Sequence, residues 1–371
     1  MPFGYVLPLA LIVITTVLAL IRIRRWGNVL FAVALPASEI PHILFVYLLL
    51  ISLLAWDEGD LSGGPGTVLL VIAVLAEVAL LVLLASALRA RPVIDAMVRE
   101  HGAQPPQRRR FWWLRPMIFP LPWRPRSVIR TGPIFYGDHP RQRLDVYRPR
   151  DPEASGPVLV YFHGGGYGGG GNRREGRSLL HRLSAQGWTC ISATYRMRPE
   201  FGFEEHLADA RAVLAWAHAR ADVHGGDTDM VAMAGSSAGG HLTALCALTQ
   251  DAGDPERPRV DAAVSLYAYY GRYYGRGEDE AQPSTAMALD ASQAPPFFLA
   301  HGDHDDFVPV EEARALRDHL ETGSPNEVWY AELPGGQHGF DAMQSWRFTA
   351  VIDGVEAFLA RVVVARKATA R

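Results

Sequence analysis

Residues 230–240 read Met-Val-Ala-Met-Ala-Gly-Ser-Ser-Ala-Gly-Gly. The five apolar residues at 230–234 predict a short buried strand. The Ala- and Leu-rich run over 238–249 predicts a helix directly after it. Between them, in Gly235-Ser236-Ser237-Ala238-Gly239, glycines stand two before and two after Ser237. A turn this sharp strains the backbone at its central residue and tolerates only tiny neighbours, which leaves the Ser237 hydroxyl exposed above the sheet. The helix start aims free N–H groups at the same point, and Ala238 N–H is the expected donor to an oxyanion. Ser237 is the candidate nucleophile, with Gly235 and Gly239 as its supports.

Working outward, residues 158–162, 188–193, 262–266, 296–300 and 327–331 read as further buried strands, with helical patterns such as 207–219 between them. This alternation predicts an α/β region with a largely parallel sheet, whose functional residues lie beyond the carboxyl ends of strands. Two more motifs occupy such positions. His163-Gly164-Gly165-Gly166 follows the strand at 158–162, and its glycines leave the N–H groups of Gly164 and Gly165 free to join an oxyanion site. No Gly-Lys-Ser/Thr follows, which argues against a phosphate loop. His301-Gly302-Asp303-His304-Asp305-Asp306 follows the strand at 296–300, and His338 follows the last strand in Gly335-Gly336-Gln337-His338-Gly339-Phe340. The order Ser, acid, His fits a catalytic triad. Asp305 is the chosen acid, with Asp303 and Asp306 as alternatives, and His338 is the general base. His163, His301 and His304 read as loop-shaping. The chemistry implied is acyl-ester cleavage through an acyl-enzyme, and it calls for no metal or organic cofactor.

The N-terminal part is different. Apolar runs at about 5–21, 37–56 and 67–88 each reach the roughly 17–25 residues that cross a bilayer as a helix. Residues 1–88 are therefore expected to be a transmembrane segment, and 131–371 the catalytic domain. Residues 89–130 form a basic, aromatic juxtamembrane linker, in which 111–123 is a candidate lid. That linker holds ten Arg against Asp95 and Glu100, whereas the remainder beyond it is acidic. Arg22, Arg24 and Arg25 follow the first run, and Asp57, Glu58 and Asp60 lie between the second and third. The positive-inside rule then places the catalytic domain on the cytoplasmic side of a multi-pass cell-membrane protein. Glu77, inside the third run, reads as a packing or oligomerisation contact between helices. Glu39 and His42 read as lying near water at a helix end. The acidic catalytic region excludes nucleic acid as a partner. Cys190 and Cys246 sit in apolar stretches and read as buried thiols.

These motifs together resemble the hormone-sensitive-lipase-like branch of the α/β-hydrolase carboxylesterases and lipases. The resemblance extends from Leu144-Asp145-Val146-Tyr147-Arg148-Pro149 to Phe358, and includes Tyr195-Arg196-Met197-Arg198-Pro199-Glu200 and Asp209-Ala210. It implies an α/β-hydrolase fold and a lipid or small acyl-ester substrate. It also implies that Tyr195–Glu200 and Asp209 brace the loops around the oxyanion site, and His163 and Gly166 read as supports beside them. The chain looks similar to actinobacterial membrane-anchored esterases and, more distantly, to isoprenylcysteine methylesterases. It departs from the common pattern at Thr194 and Ser236, where relatives often carry acids. Two other readings stay open: an acyltransferase or deacylase with the same triad, and a catalytically inactive membrane scaffold.

Overall fold

The computed structural model describes residues 3–21, 27–107, 111–151, 153–251, 253–274 and 283–369. The N-terminal region consists of α1 (Phe3–Leu20), α2 (Gly27–Glu39), α3 (Pro41–Asp57) and α4 (Gly63–Glu100), followed by the short α5 (Leu114–Ile118). Then come β1 (Val128–Phe135), β2 (Arg143–Pro149), β3 (Gly156–Phe162), α6 (Arg177–Ser184), β4 (Thr189–Ala193) and α7 (Phe203–Arg220). The chain closes with β5 (Gly226–Ser236), α8 (Ala238–Leu248), β6 (Ala262–Leu266), β7 (Phe297–Gly302), α9 (Val310–Gly323), β8 (Val328–Leu333) and α10 (Trp346–Thr369).

Among the described residues eight strands form one sheet in the order β1-β2-β4-β3-β5-β6-β7-β8. The pairs from β4 to β8 are parallel, and β1 and β2 add an antiparallel edge. This is the mostly parallel sheet expected, flanked by helices on both faces. Leu207 and Leu214 of α7, Leu242 and Leu245 of α8 and Leu316 of α9 cover one face. Leu179 of α6 and Phe348, Val355 and Phe358 of α10 cover the other. The strands β3 to β7 read as continuous apolar runs because both their faces are buried.

The apolar region departs from three independent spans. The run at 37–56 straddles a break, and the α2 and α3 axes meet at 81°. Pro36 lies inside α2, and Pro41 opens α3. A proline removes a helical N–H and disfavours helix at the preceding residue, so the chain turns at Ile40. Among the described residues α4 is the one helix long and apolar enough to cross a bilayer, and the bent α2–α3 pair qualifies only if taken together. Leu50, Leu53 and Leu54 of α3 and Val68, Val71, Leu75, Val78 and Val82 of α4 are exposed.

The helix α4 also runs through residue 88 without interruption. Its 38 residues extend about 57 Å, well beyond the ~30 Å hydrocarbon thickness. The surplus has a place in the catalytic domain: Ala90, Ile94, Met97 and Val98 are buried in the cluster that holds Phe298, Trp329 and Phe358. Residues 90–100 are thus a core helix of the hydrolase domain. Arg22, Arg24 and Arg25, and Arg108 to Arg110, whose charges oriented the bundle, lie outside the described residues.

Candidate active site

Ser237 sits between β5 and α8 with φ 52° and ψ −119°, a left-handed conformation that costs a non-glycine residue about 1–3 kcal/mol. The turn holds it by crowding. A Cβ on Gly235 would lie 2.2 Å from the Gly239 carbonyl oxygen, and one on Gly239 would lie 2.0 Å from the Phe162 carbonyl oxygen. Ser237 N–H donates to the Leu266 carbonyl at 2.9 Å, tying the turn to the end of β6.

Three loops after three strands meet here. Ser237 Oγ lies 3.0 Å from His338 Nε2, and His338 Nδ1 lies 2.8 Å from Asp305 Oδ2. Asp305 Oδ1 accepts the N–H groups of Phe307 and Val308 at 2.9 and 2.7 Å. His301 Nε2 stands 2.9 Å from the Val308 carbonyl and 3.3 Å from Asp305 Oδ2, so one N–H is shared between them. Burial opposes ionisation of Asp305. The charge of His338 and the hydrogen bonds from His301 and His338 outweigh it, and hold the carboxyl well below the ordinary carboxylate range. The alternatives do other things. Asp303 accepts the Gly335 N–H at 2.6 Å and meets His304 Nδ1 at 2.8 Å. Asp306 accepts the Gln337 amide at 3.0 Å. Both acids stitch the loop after β7 to the loop that carries His338.

On the opposite side, Gly164, Gly165 and Gly166 follow β3, and Gly165 and Gly166 have φ of 106° and 57°. His163 is buried, stacks on Tyr195 at 4.9 Å and donates Nδ1–H to the Gly164 carbonyl at 2.6 Å. Burial pulls its pKa down to about 4, so the ring is neutral and acts on loop shape. Asp209 accepts the Arg196 backbone N–H at 2.8 Å, the Arg196 guanidinium at 2.7 Å and the Gln142 amide at 2.7 Å. Tyr195 in turn donates its hydroxyl to the His163 carbonyl at 3.1 Å. The brace therefore runs from Asp209 through Tyr195 and Arg196 to the glycine loop.

Several residues here carried no sequence signal. Gly164 N–H donates to Glu175 Oε2 at 2.5 Å. Asp341, fully buried, receives Ser236 Oγ at 2.5 Å and Tyr161 Oη at 2.8 Å, and bonds the Tyr267 hydroxyl as well. Ser236, which departs from the acid common at its position, thus stands beside a carboxylate supplied 105 residues later. Tyr267 and Phe307 approach the His338 ring edge-on at 4.7 and 4.9 Å.

The N-terminal region supplies the third ring. Phe31 of α2 meets His338 at 5.1 Å and Phe307 at 5.6 Å. Glu39, expected near water, is fully buried: it pairs with Arg347 of α10 and accepts the Ser345 hydroxyl at 2.6 Å. Arg347 also donates to the Ser38 carbonyl at 3.1 Å and the Pro334 carbonyl at 3.1 Å. His42 Nε2 lies 3.1 Å from the carbonyls of Pro116 and Met117. In the candidate lid at 111–123, Trp112 packs against Trp346 and the Pro120 carbonyl accepts the Gln344 N–H.

Comparison with known proteins places the chain in a family. The BD-FAE family model matches residues 144–270. Esterase LipC of Mycobacterium tuberculosis is 37% identical over 64% of this chain and 67% of its own length. Esterase LipQ of the same organism is 32% identical over 75% of this chain and 72% of its own length. In fold, the chain superposes on the apo form of Thermogutta terrifontis esterase 2 with a TM-score of 0.54 at 21% identity, covering 64% of this chain and 95% of that one. The chain belongs to the α/β-hydrolase carboxylesterases. It is a carboxylic ester hydrolase.

Proposed function

We propose that this chain is a membrane-anchored serine carboxylesterase or lipase in which Ser237, His338 and Asp305 cleave lipophilic acyl esters. The observation that carries the proposal is the unbroken hydrogen-bonded chain from Ser237 Oγ through His338 to Asp305, at 3.0 and 2.8 Å. His338 Nε2 takes the Ser237 proton as Oγ attacks the acyl carbonyl. Asp305 holds Nδ1–H in place and stabilises the imidazolium. The N–H groups of Gly165 and Ala238 serve the oxygen on which charge develops, whereas that of Gly164, expected to join them, is held by Glu175. His338 then returns the proton to the leaving alcohol, and water, activated in the same way, releases the acyl group.

The anchor is supported by the exposed Leu and Val rows on α3 and α4. The Arg excess at 89–130 supports an orientation with the catalytic domain on the cytoplasmic side, and the bent α2–α3 pair taken together with α4 supports more than one crossing. A fluorophosphonate probe should label the full chain and fail to label Ser237→Ala. An unlabelled wild-type protein sinks the triad assignment. A panel of esters of increasing acyl length tests the substrate class, and a preference for acetyl over longer chains overturns the lipophilic reading. Transfer to an added alcohol in excess of hydrolysis would reassign the chain to acyl transfer.

A further inference from the structure

The acyl-transfer chemistry leaves one carboxyl beside the nucleophile without a role. Glu175 lies between β3 and α6 in Asn172-Arg173-Arg174-Glu175-Gly176. Its Oε2 accepts the Gly164 N–H at 2.5 Å. A Cβ built on Gly164 would stand 2.9 Å from that oxygen and 2.9 Å from Ser237 Cβ. The carboxyl and the nucleophile therefore face the same small space. The Gly164 N–H is one of the donors expected to serve a tetrahedral intermediate, and a carboxylate sitting on it would repel the oxyanion. A neutral carboxyl would instead offer an O–H.

The surroundings decide between these forms. Asp341, fully buried nearby, faces the hydroxyls of Tyr161, Ser236 and Tyr267 and the Gly176 N–H. Donors stabilise an ionised carboxylate, and the half-buried Glu175 has, among the described residues, the N–H of Gly164. Two acids in such proximity do not both ionise, so the charge belongs on Asp341 and the proton on Glu175. Burial first, and then the charge of Asp341, push the Glu175 carboxyl up to about 8, against the pull of Gly164 N–H and Arg174.

Resting on the Ser237 reading above, we propose that Glu175 is a further catalytic residue of this esterase. Neutral, it stands between Gly164 N–H and the acyl oxygen and donates its O–H to the oxyanion; ionised, it closes the site. Glu175 keeps its proton throughout, while the Ser237 proton travels to His338 and on to the leaving alcohol. No bond to Glu175 forms or breaks.

The other groups facing this space do not titrate in the same range. Burial pushes Tyr161 of β3, Tyr195 after β4 and Tyr267 after β6 further above their ordinary value near 10. His163 stays neutral, with its pKa lowered to about 4.

The test is kcat and KM against pH for the full chain in detergent, followed by pH-stat with a short-chain ester. Glu175→Gln and Glu175→Ala are measured in parallel, with fluorophosphonate labelling of each protein. Wild-type activity should fall as pH rises through about 8. Glu175→Gln should stay within a few fold of wild type at pH 7 and lose that alkaline fall, because its amide both accepts Gly164 N–H and donates to the oxyanion. Glu175→Ala should lose about 100-fold in kcat with little change in KM. An alkaline fall that persists in Glu175→Gln overturns the proposal, as does wild-type kcat in Glu175→Ala. If wild-type Ser237 takes no label, the underlying triad reading fails and this proposal fails with it. Labelled proteins with unaltered Glu175 variants remove this proposal alone.

Discussion

His338 receives a hydrogen bond from one side, gives one on the other, and is packed by three aromatic rings. Its orientation depends on Asp305, whose own bonds to two backbone N–H groups and His301 leave it no freedom to turn. Asp305→Asn should lower kcat by about 10⁴, since the amide favours the wrong imidazole tautomer; steady-state kinetics with an unchanged fold would show it. Glu175 makes a stability prediction of the opposite sign to an ordinary surface acid. Its carboxyl is raised to about 8 in the folded chain against an ordinary value of 4.5, so between those values the folded state holds a proton the unfolded state releases. Stability must therefore fall as pH rises from about 4.5 to about 8. Glu175→Gln should flatten that part of the profile in thermal unfolding. Ser237, Asp305 and His338 were legible because strand-end motifs mark them in sequence order. Glu175 was not, because Asn172-Arg173-Arg174-Glu175 reads as a solvated loop. Only its place over Gly164, 11 residues earlier, half-buries it.

At the scale of elements, the strands β3 to β8 were legible as apolar runs between turn residues. β1 and β2 were not singled out: β1 alternates buried and exposed residues, contains Pro133, and lies at the sheet edge. The bend between α2 and α3 escaped for a different reason. Hydropathy sums over a window and is blind to direction, so Pro41 vanished into a single span at 37–56. The burial of Glu39 was equally hidden, since its partner Arg347 lies 308 residues away. That pair bolts α2 to the loop carrying His338, with Ser38 and Pro334 as further contacts. Glu39→Leu leaves the guanidinium buried without its countercharge and should cost about 3–5 kcal/mol. Adding Arg347→Met should recover part of that loss, because no buried charge then remains. Chemical denaturation of both proteins in detergent measures the difference; a double variant less stable than the single one contradicts the account.

For the whole molecule, the apolar helices and the hydrolase domain share one structure. α4 carries an exposed apolar face along its first part and a core face at its end, and Arg91 on it pairs with Asp353 of α10. A chain beginning at residue 101 should expose Phe298, Trp329 and Phe358 and aggregate or unfold at a lower temperature than the full chain. A soluble, equally stable and active fragment would show that α4 is a dispensable tether. The contrast between an apolar helical region and an ordinary enzyme domain was legible in composition, whereas their interpenetration was not, because it depends on which face of α4 meets α10. The Glu39–Arg347 pair also has a consequence in time. Glu39 leaves the ribosome 308 residues before Arg347, so the contact that seats the His338 loop closes only after Arg347 has emerged. A chain stopped before Arg347 would carry Ser237 in its turn while the loop of His338 still lacked its tie to α2.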